Sequence, residues 1–281
     1  MKIDEAIKIL ENHNKWRLGA DVQMINPKTL TEAINTVVEH YKNGSISEKN
    51  VLDYVDLGLP SGTLWAKKNV GAENETDYGL YFAWGETQGY SGITDSKSFS
   101  WDDYKWADES DALMTKYNST DGKTLLEAED DAAHVSMGGD WHMPTYEQCV
   151  ELFKETKNGF VTSYGNFTQY AWSDSNGYSS PTQTTDTISG WNTAGYFFFK
   201  NTYTSVTDAI TAEDYLFVPA AGICFEGLTL GVGKYGGFWS PFLYESSVSD
   251  AWDIGFYFSS AGVSSSYRYG GLSVRGVINK K

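Results

Sequence analysis

The stretch DAWDIGFYFSSAGVSSSYRYGG, Asp250 to Gly271, decides how this chain is read. Its first half alternates. Trp252, Ile254, Phe256 and Phe258 fall on one face of an extended chain, and Asp253, Gly255, Tyr257 and Ser259 on the other. A period of two specifies a β-strand with one face in a core, where truncating a large side chain costs on the order of several kcal/mol. The other face is free to vary. The same division runs outward along the tail. Trp239, Val263, Arg268, Val274 and Arg275 read as scaffold, while Phe238, Pro241, Phe242, Tyr244, Ser246, Ser247, Ser264, Ser265, Ser266, Tyr267, Tyr269 and Leu272 join Asp253, Gly255, Tyr257 and Ser259 as a ligand-binding surface. Tyrosine gives a large amphipathic contact at low entropic cost and Ser and Gly give adaptable neighbours, the chemistry of antibody loops.

Upstream, short apolar pieces separated by Gly, Asn, Asp and Ser predict further strands in TLWAKKNV, GLYFAWG, GYFFFKN, DYLFVPAAGI and LSVRGVI. One helix interrupts them. TYEQCVELFKET has Thr145 as cap, with Tyr146, Cys149, Val150 and Phe153 facing inward. Residues 49–281 are thus expected to form one α+β domain of short twisted strands and long loops. The N-terminal segment differs in kind. Ile3, Ala6, Ile7 and Leu10 follow helical spacing, and TLTEAINTVVEHYKNG opens on a capping-box pattern from Thr29 to Glu32, carries Leu30, Ala33, Ile34, Val37 and Val38 on one face, and stops at Asn43-Gly44. Two such helices bury little by themselves, so residues 1–48 are read as an attachment or assembly module.

A net charge of -16 with only three scattered arginines, Arg17, Arg268 and Arg275, argues against nucleic acid and against an anionic membrane surface. No apolar run approaches the ~20 residues of a membrane span, so no membrane insertion is expected. The opening residues also lack the uninterrupted apolar core of a secretion signal.

Several of these pieces carry a resemblance. Tyr54 to Ala72 (YVDLGLPSGTLWAKKNVGA), Tyr78 to Thr87 (YGLYFAWGET), Gly138 to Thr145 (GGDWHMPT), Phe217 to Gly222 (FVPAAG), then GGFWS and GLSVRGV, in that order, resemble the Fibrobacter succinogenes major paralogous domain of gut Bacteroidales and their phages. The resemblance implies a C-type-lectin-like fold related to formylglycine-generating enzymes. Gly276 stands where the family pattern usually has proline, and Cys224 where arginine is common. The C-terminal part, about residues 236–275, resembles the variable region of proteins diversified by retroelements, in which adenines of AAC or AAT codons are rewritten. Such codons never yield Lys, Gln, Met, Glu or Trp. From Tyr235 to Asn279 there is no Lys, Gln or Met, although the first 234 residues hold 16 Lys, 5 Gln and 5 Met. Glu245, Trp239 and Trp252 are then fixed scaffold residues.

The function implied is non-enzymatic recognition of a host cell-surface protein or glycan, by a phage virion component made in the bacterial cytoplasm. The N-terminal module would mount it as a homo-oligomer, a trimer by analogy with phage tips. The alternatives are an undiversified domain with a fixed partner on a bacterial surface, and an oxidase like the formylglycine-generating enzymes. The oxidase chemistry needs a close thiol pair, whereas Cys149 and Cys224 lie far apart in sequence and read as two buried thiols. His13, His40, His134 and His142 form no spaced metal set, and no Gly-x-Ser-x-Gly elbow occurs. No cofactor or catalytic residue is expected. Calcium, were it bound at Glu127 to Ala133 or Trp101 to Tyr104, would be structural, because the sugar-binding signatures of animal C-type lectins are missing.

Overall fold

The periodic N-terminal residues fold as α1 (Ile3–Arg17) and α2 (Pro27–Gly44), which pack on each other, with Ala6 and Ala33 fully buried. The Thr29–Glu32 capping box does not start α2. Asn26 accepts the Lys28 N–H at 2.9 Å, and Pro27 occupies the first helical position, where its missing N–H costs nothing. Ile7, Ile34 and Val38 are exposed, so the expected apolar stripe is only partly covered. This computed structural model describes all residues except 2, 18–19, 21, 45–53, 109–113, 176 and 281. The chain divides into two compact units, Met1–Asp53 and Tyr54–Lys281, and the boundary expected at 48/49 lies outside the described residues. No described helix is long and apolar enough to cross a membrane.

The second unit is α+β. It runs β1 (Tyr54–Val55), β2 (Thr63–Asn69), α3 (Ala132–Met137), α4 (Tyr146–Glu155), β3 (Thr156–Val161), β4 (Asn166–Ser173), β5 (Tyr178–Thr187) and β6 (Gly195–Lys200). After these come α5 (Val206–Thr211), β7 (Tyr215–Pro219), β8 (Ile223–Phe225), β9 (Leu228–Leu230), β10 (Tyr235–Leu243), β11 (Asp250–Tyr257), β12 (Ala261–Tyr267) and β13 (Arg275–Asn279). An eight-stranded antiparallel sheet has the order β10-β11-β12-β5-β4-β3-β6-β7. A smaller sheet, β1-β2-β13, brings the two ends of the unit together. Arg275 ties the sheets to each other, donating to the Ala66 carbonyl of β2 at 2.9 Å and the Phe217 carbonyl of β7 at 3.1 Å.

Two expectations about elements fail for local reasons. GLYFAWG makes only isolated bridges, Tyr81 to Tyr90 and Phe82 to Leu272, because Gly79 and Gly85 take positive φ and bend the chain at both ends. Tyr146, read as inward, is exposed, while Leu152 joins Cys149 and Phe153 in the core. The cap is as expected. Thr145 Oγ1 accepts from Gln148 N at 3.3 Å, and Thr145 N donates to Gln148 Oε1 at 2.9 Å.

The core lies on both sides of β10–β12, and this positions everything that follows. One face, with Phe238, Ile254, Phe256, Ala261 and Val263, packs into a cluster that includes Trp65, Cys149 and Phe153. The opposite face, with Tyr235, Trp239, Leu243 and Ala251, packs under Phe82, Trp84, Tyr117 and Met143. Long loops thus roof the face that the alternation assigns to solvent. Gly276 follows from the same packing, since a Cβ there would run into Met137 Sδ and the Trp141 ring.

Candidate ligand-binding surface

Register settles which tail residues reach solvent. Trp239 of β10, Asp253 of β11 and Ser264 of β12 lie side by side in the ladder, on the roofed face. Asp253 is therefore fully buried rather than displayed. Four more expected ligand contacts are buried as well. Phe238 packs edge-on against Trp65, with ring centroids 5.8 Å apart. Pro241 is covered by the segment around Leu126, whose N–H donates to the Pro241 carbonyl at 2.9 Å. Tyr269 meets Trp101 edge-on at 4.5 Å and donates to Glu226 Oε1 at 3.2 Å. Leu272 is fully buried in a bridge to Phe82.

The remaining expected residues are exposed or half-buried: Phe242, Tyr244, Ser246, Ser247, Gly255, Tyr257, Ser259, Ser264, Ser265, Ser266 and Tyr267. They do not gather in one pocket. At one end of β11 the chain turns through Phe258 and Ser259, with Tyr257 N donating to Ser260 O at 2.7 Å. Here Tyr257 stands over Tyr235 at 4.7 Å, and its carbonyl accepts from the Tyr170 hydroxyl at 3.1 Å. Phe258 is not a core residue. It is 66% exposed at the tip, because the strand ends one residue earlier and the alternation does not continue through the turn.

The other end of β11 lies ~23 Å away along the strand, at about 3.3 Å per residue. Tyr244 meets Trp252 edge-on at 4.8 Å and Tyr146 of α4 meets the same indole at 5.2 Å. Tyr146, Glu147, Phe242, Glu245 and Trp252 line a cleft of about 200 Å³. Tyr267 belongs to a second aromatic group, stacked on Tyr269 at 5.4 Å and near Trp101 and Phe225, both at 6.2 Å. Trp101 also opens onto a shallow depression of about 500 Å³ with Asp102 and Glu226.

No significant match to a protein-family model, a curated protein or a solved structure is found for this chain.

What holds these groups in place is a set of buried polar residues. Arg268, fully buried, donates to Tyr104 Oη and to the carbonyls of Tyr117, Val248 and Lys116, each at 3.0 Å, while its guanidinium lies 4.7 Å from the Trp84 ring. It thereby fixes the turn that follows Tyr244 and the start of the Tyr267–Tyr269 segment. Lys97, also buried, donates to Glu86 Oε1 and to the Asp103 carbonyl at 2.9 Å and braces the turn that carries Trp101.

The chemistry that the remaining groups offer is limited by their partners. Cys149 and Cys224 are unpaired thiols in different core clusters, and burial pushes both thiols up, away from the reactive thiolate. His134 and His142 each use Nδ1 on a backbone carbonyl, of Trp141 at 3.1 Å and Met143 at 2.8 Å. Among the described residues no three His, Cys, Asp or Glu converge as a metal site. Several carboxylates of the acidic runs are engaged internally. Asp130 is held by Lys105, Lys116 and Tyr117, Asp131 caps α3, and Asp103 accepts from Ser98 and Ser100. Burial works against the Asp130 carboxylate, yet the hydrogen bonds from Lys116, Tyr117 and Lys105 keep it below its ordinary range.

Sequence reasoning missed Tyr146, Glu147, Trp101, Phe225 and Phe258 as surface contributors. The first two sit in the opening turn of α4, where helical periodicity alone does not fix the facing. Trp101 and Phe225 reach the tail only through tertiary packing, which no local pattern records.

Proposed function

We propose that this chain is a non-enzymatic recognition protein of C-type-lectin-like fold, whose C-terminal surface is diversified by a retroelement and displayed on a phage virion. The observation that carries the reading is the separation along β10–β12. Tyr244, Tyr257, Ser259 and Tyr267 are accessible, whereas Trp239, Arg268, Val274 and Arg275 are buried and bonded or packed within the frame. Substituting the first group leaves the hydrogen-bonded frame intact, which is what a variable surface requires. Three separate aromatic groups, around Tyr257, Trp252 and Tyr267, suit a broad macromolecular target, a host cell-surface protein or glycan, better than one small ligand. The helical unit Met1–Asp53, with Ile7, Ile34 and Val38 exposed, supports its reading as the oligomerising mount.

The test is to sequence the DNA flanking the gene. A reverse-transcriptase gene, with a template repeat that matches the segment encoding about residues 236–275 except at adenines, is the expected result. Mismatches should fall on codons for Tyr244, Tyr257, Ser259 and Tyr267 and spare those for Trp239, Trp252 and Glu245. A flank without either feature would reduce the surface to a fixed one.

A further inference from the structure

The cleft beside Trp252 carries charge of one sign. It is lined by Tyr146, Phe242 and Trp252 and by Glu147 and Glu245, and its charged groups are the two carboxylates, beside the Tyr146 hydroxyl and the Trp252 indole N–H. Neither carboxylate takes part in a hydrogen bond or ion pair with the described residues, and both are exposed at the mouth. Ring faces are negative and ionised carboxylates only accept hydrogen bonds, so both kinds of wall favour a cation that can donate. We infer that the cleft receives a basic side chain, lysine or arginine, of a protein target. The inference rests on the recognition reading and names the ligand chemistry of one part of that surface.

Size and charge point the same way. About 200 Å³ is below the ~300–1,000 Å³ of pockets that enclose drug-sized ligands, and fits one side chain laid along an aromatic wall. A neutral sugar could use the rings and the polar groups, but it would leave the two carboxylate charges without a counter-charge. A quaternary ammonium could use the rings but would leave the carboxylates without an N–H to accept. The overall charge of -16 draws basic partners toward the surface. The composition of the cleft has a further consequence. Tyr146 and Glu147 lie outside the tail, and Trp252 and Glu245 are residues that adenine rewriting of AAC or AAT codons does not produce. Four of the five lining residues are then constant, while Phe242 in the wall and Tyr244 beside Trp252 vary, so every variant retains the two carboxylates and the indole and differs around them.

The experiment uses the full chain and follows the Trp252 indole N–H by NMR, assigned with Trp252→Phe. Nα-acetyl-lysine amide and Nα-acetyl-arginine amide are titrated beside the neutral Nα-acetyl-norleucine amide and beside choline. Saturable shifts with lysine or arginine amide are expected, with norleucine amide and choline at least about fivefold weaker. Glu147→Gln with Glu245→Gln should weaken the basic amides about tenfold while leaving the rest of the spectrum unchanged. Equal binding of norleucine amide would overturn the inference in favour of an apolar cleft. Tighter binding of choline would overturn it in favour of a lipid head group, and no shift with any probe would overturn it outright. The two readings fail separately. Target binding that is lost on Tyr257→Ala but unchanged in the double Gln variant would remove the cation seat and leave the recognition surface standing.

Discussion

Asp253 is the residue at which the outward-facing reading of β11 meets its cost. It lies fully buried between Trp239 and Ser264, and neither carboxylate oxygen has a hydrogen-bond partner. Burial lifts its pKa to about 7, the Ser266 hydroxyl pulls the other way, and Asp250 adds to the rise. The folded state therefore keeps a proton that the unfolded chain releases near pH 4. Stability from this group is fully present below about pH 4 and is lost as pH rises to about 7, by about 4 kcal/mol in all. Asp253→Asn should remove that slope and exceed the parent in stability at pH 8, as read from urea unfolding at pH 4 to 8. Parallel curves for the two proteins would contradict the assignment. Arg268 makes the opposite case, a buried charge whose bonds all go to neutral oxygens. Arg268→Lys loses most of a four-bond fork and should cost about 3 kcal/mol or more in the same measurement. Arg268 was legible as scaffold from its place in the tail pattern. Asp253 was not, because alternation identifies two faces without saying that loops cover both.

At the scale of elements, the β11–β12 hairpin separates core from display within three residues. Phe256 is fully buried and Phe258 is at the tip. Phe256→Ala should cost about 3–5 kcal/mol and Phe258→Ser no more than about 0.5 kcal/mol, measured by denaturant midpoints at constant m-value. A large loss at Phe258 would place the tip back in the core. Strands with dense apolar character, β2, β6, β7 and β11, could be read from sequence, as could α4 from its Thr145 cap. The middle of the sheet could not. β5, YSSPTQTTDT, is polar and contains Pro181, which is tolerated where the register with β4 shifts between Thr168 and Tyr170. Such a strand is specified by its neighbours rather than by its own period. The same holds for the cleft: Trp252 came from the strand pattern, and its partners Tyr146 and Glu147 from a helix distant in sequence.

For the molecule as a whole, the two units predict separable roles. Removing residues 1–53 should leave Tyr54–Lys281 folded, with a cooperative thermal transition, and abolish self-association in sedimentation velocity. A truncated protein that still assembles would count against the mounting role of the helices. The surface itself makes the larger claim, that recognition residues can change without unfolding the frame. The most direct test is a paired protease-resistance selection on two codon-randomised libraries of the full chain. One varies Tyr244, Ser246, Ser247, Tyr257, Ser259, Ser265 and Tyr267, and the other varies Phe238, Asp253, Tyr269 and Leu272. The account predicts that most members of the first library stay resistant at the parent's level and that few of the second do, with survivors at Asp253 enriched in neutral residues. Equal survival of the two libraries, or collapse of the first, would contradict it.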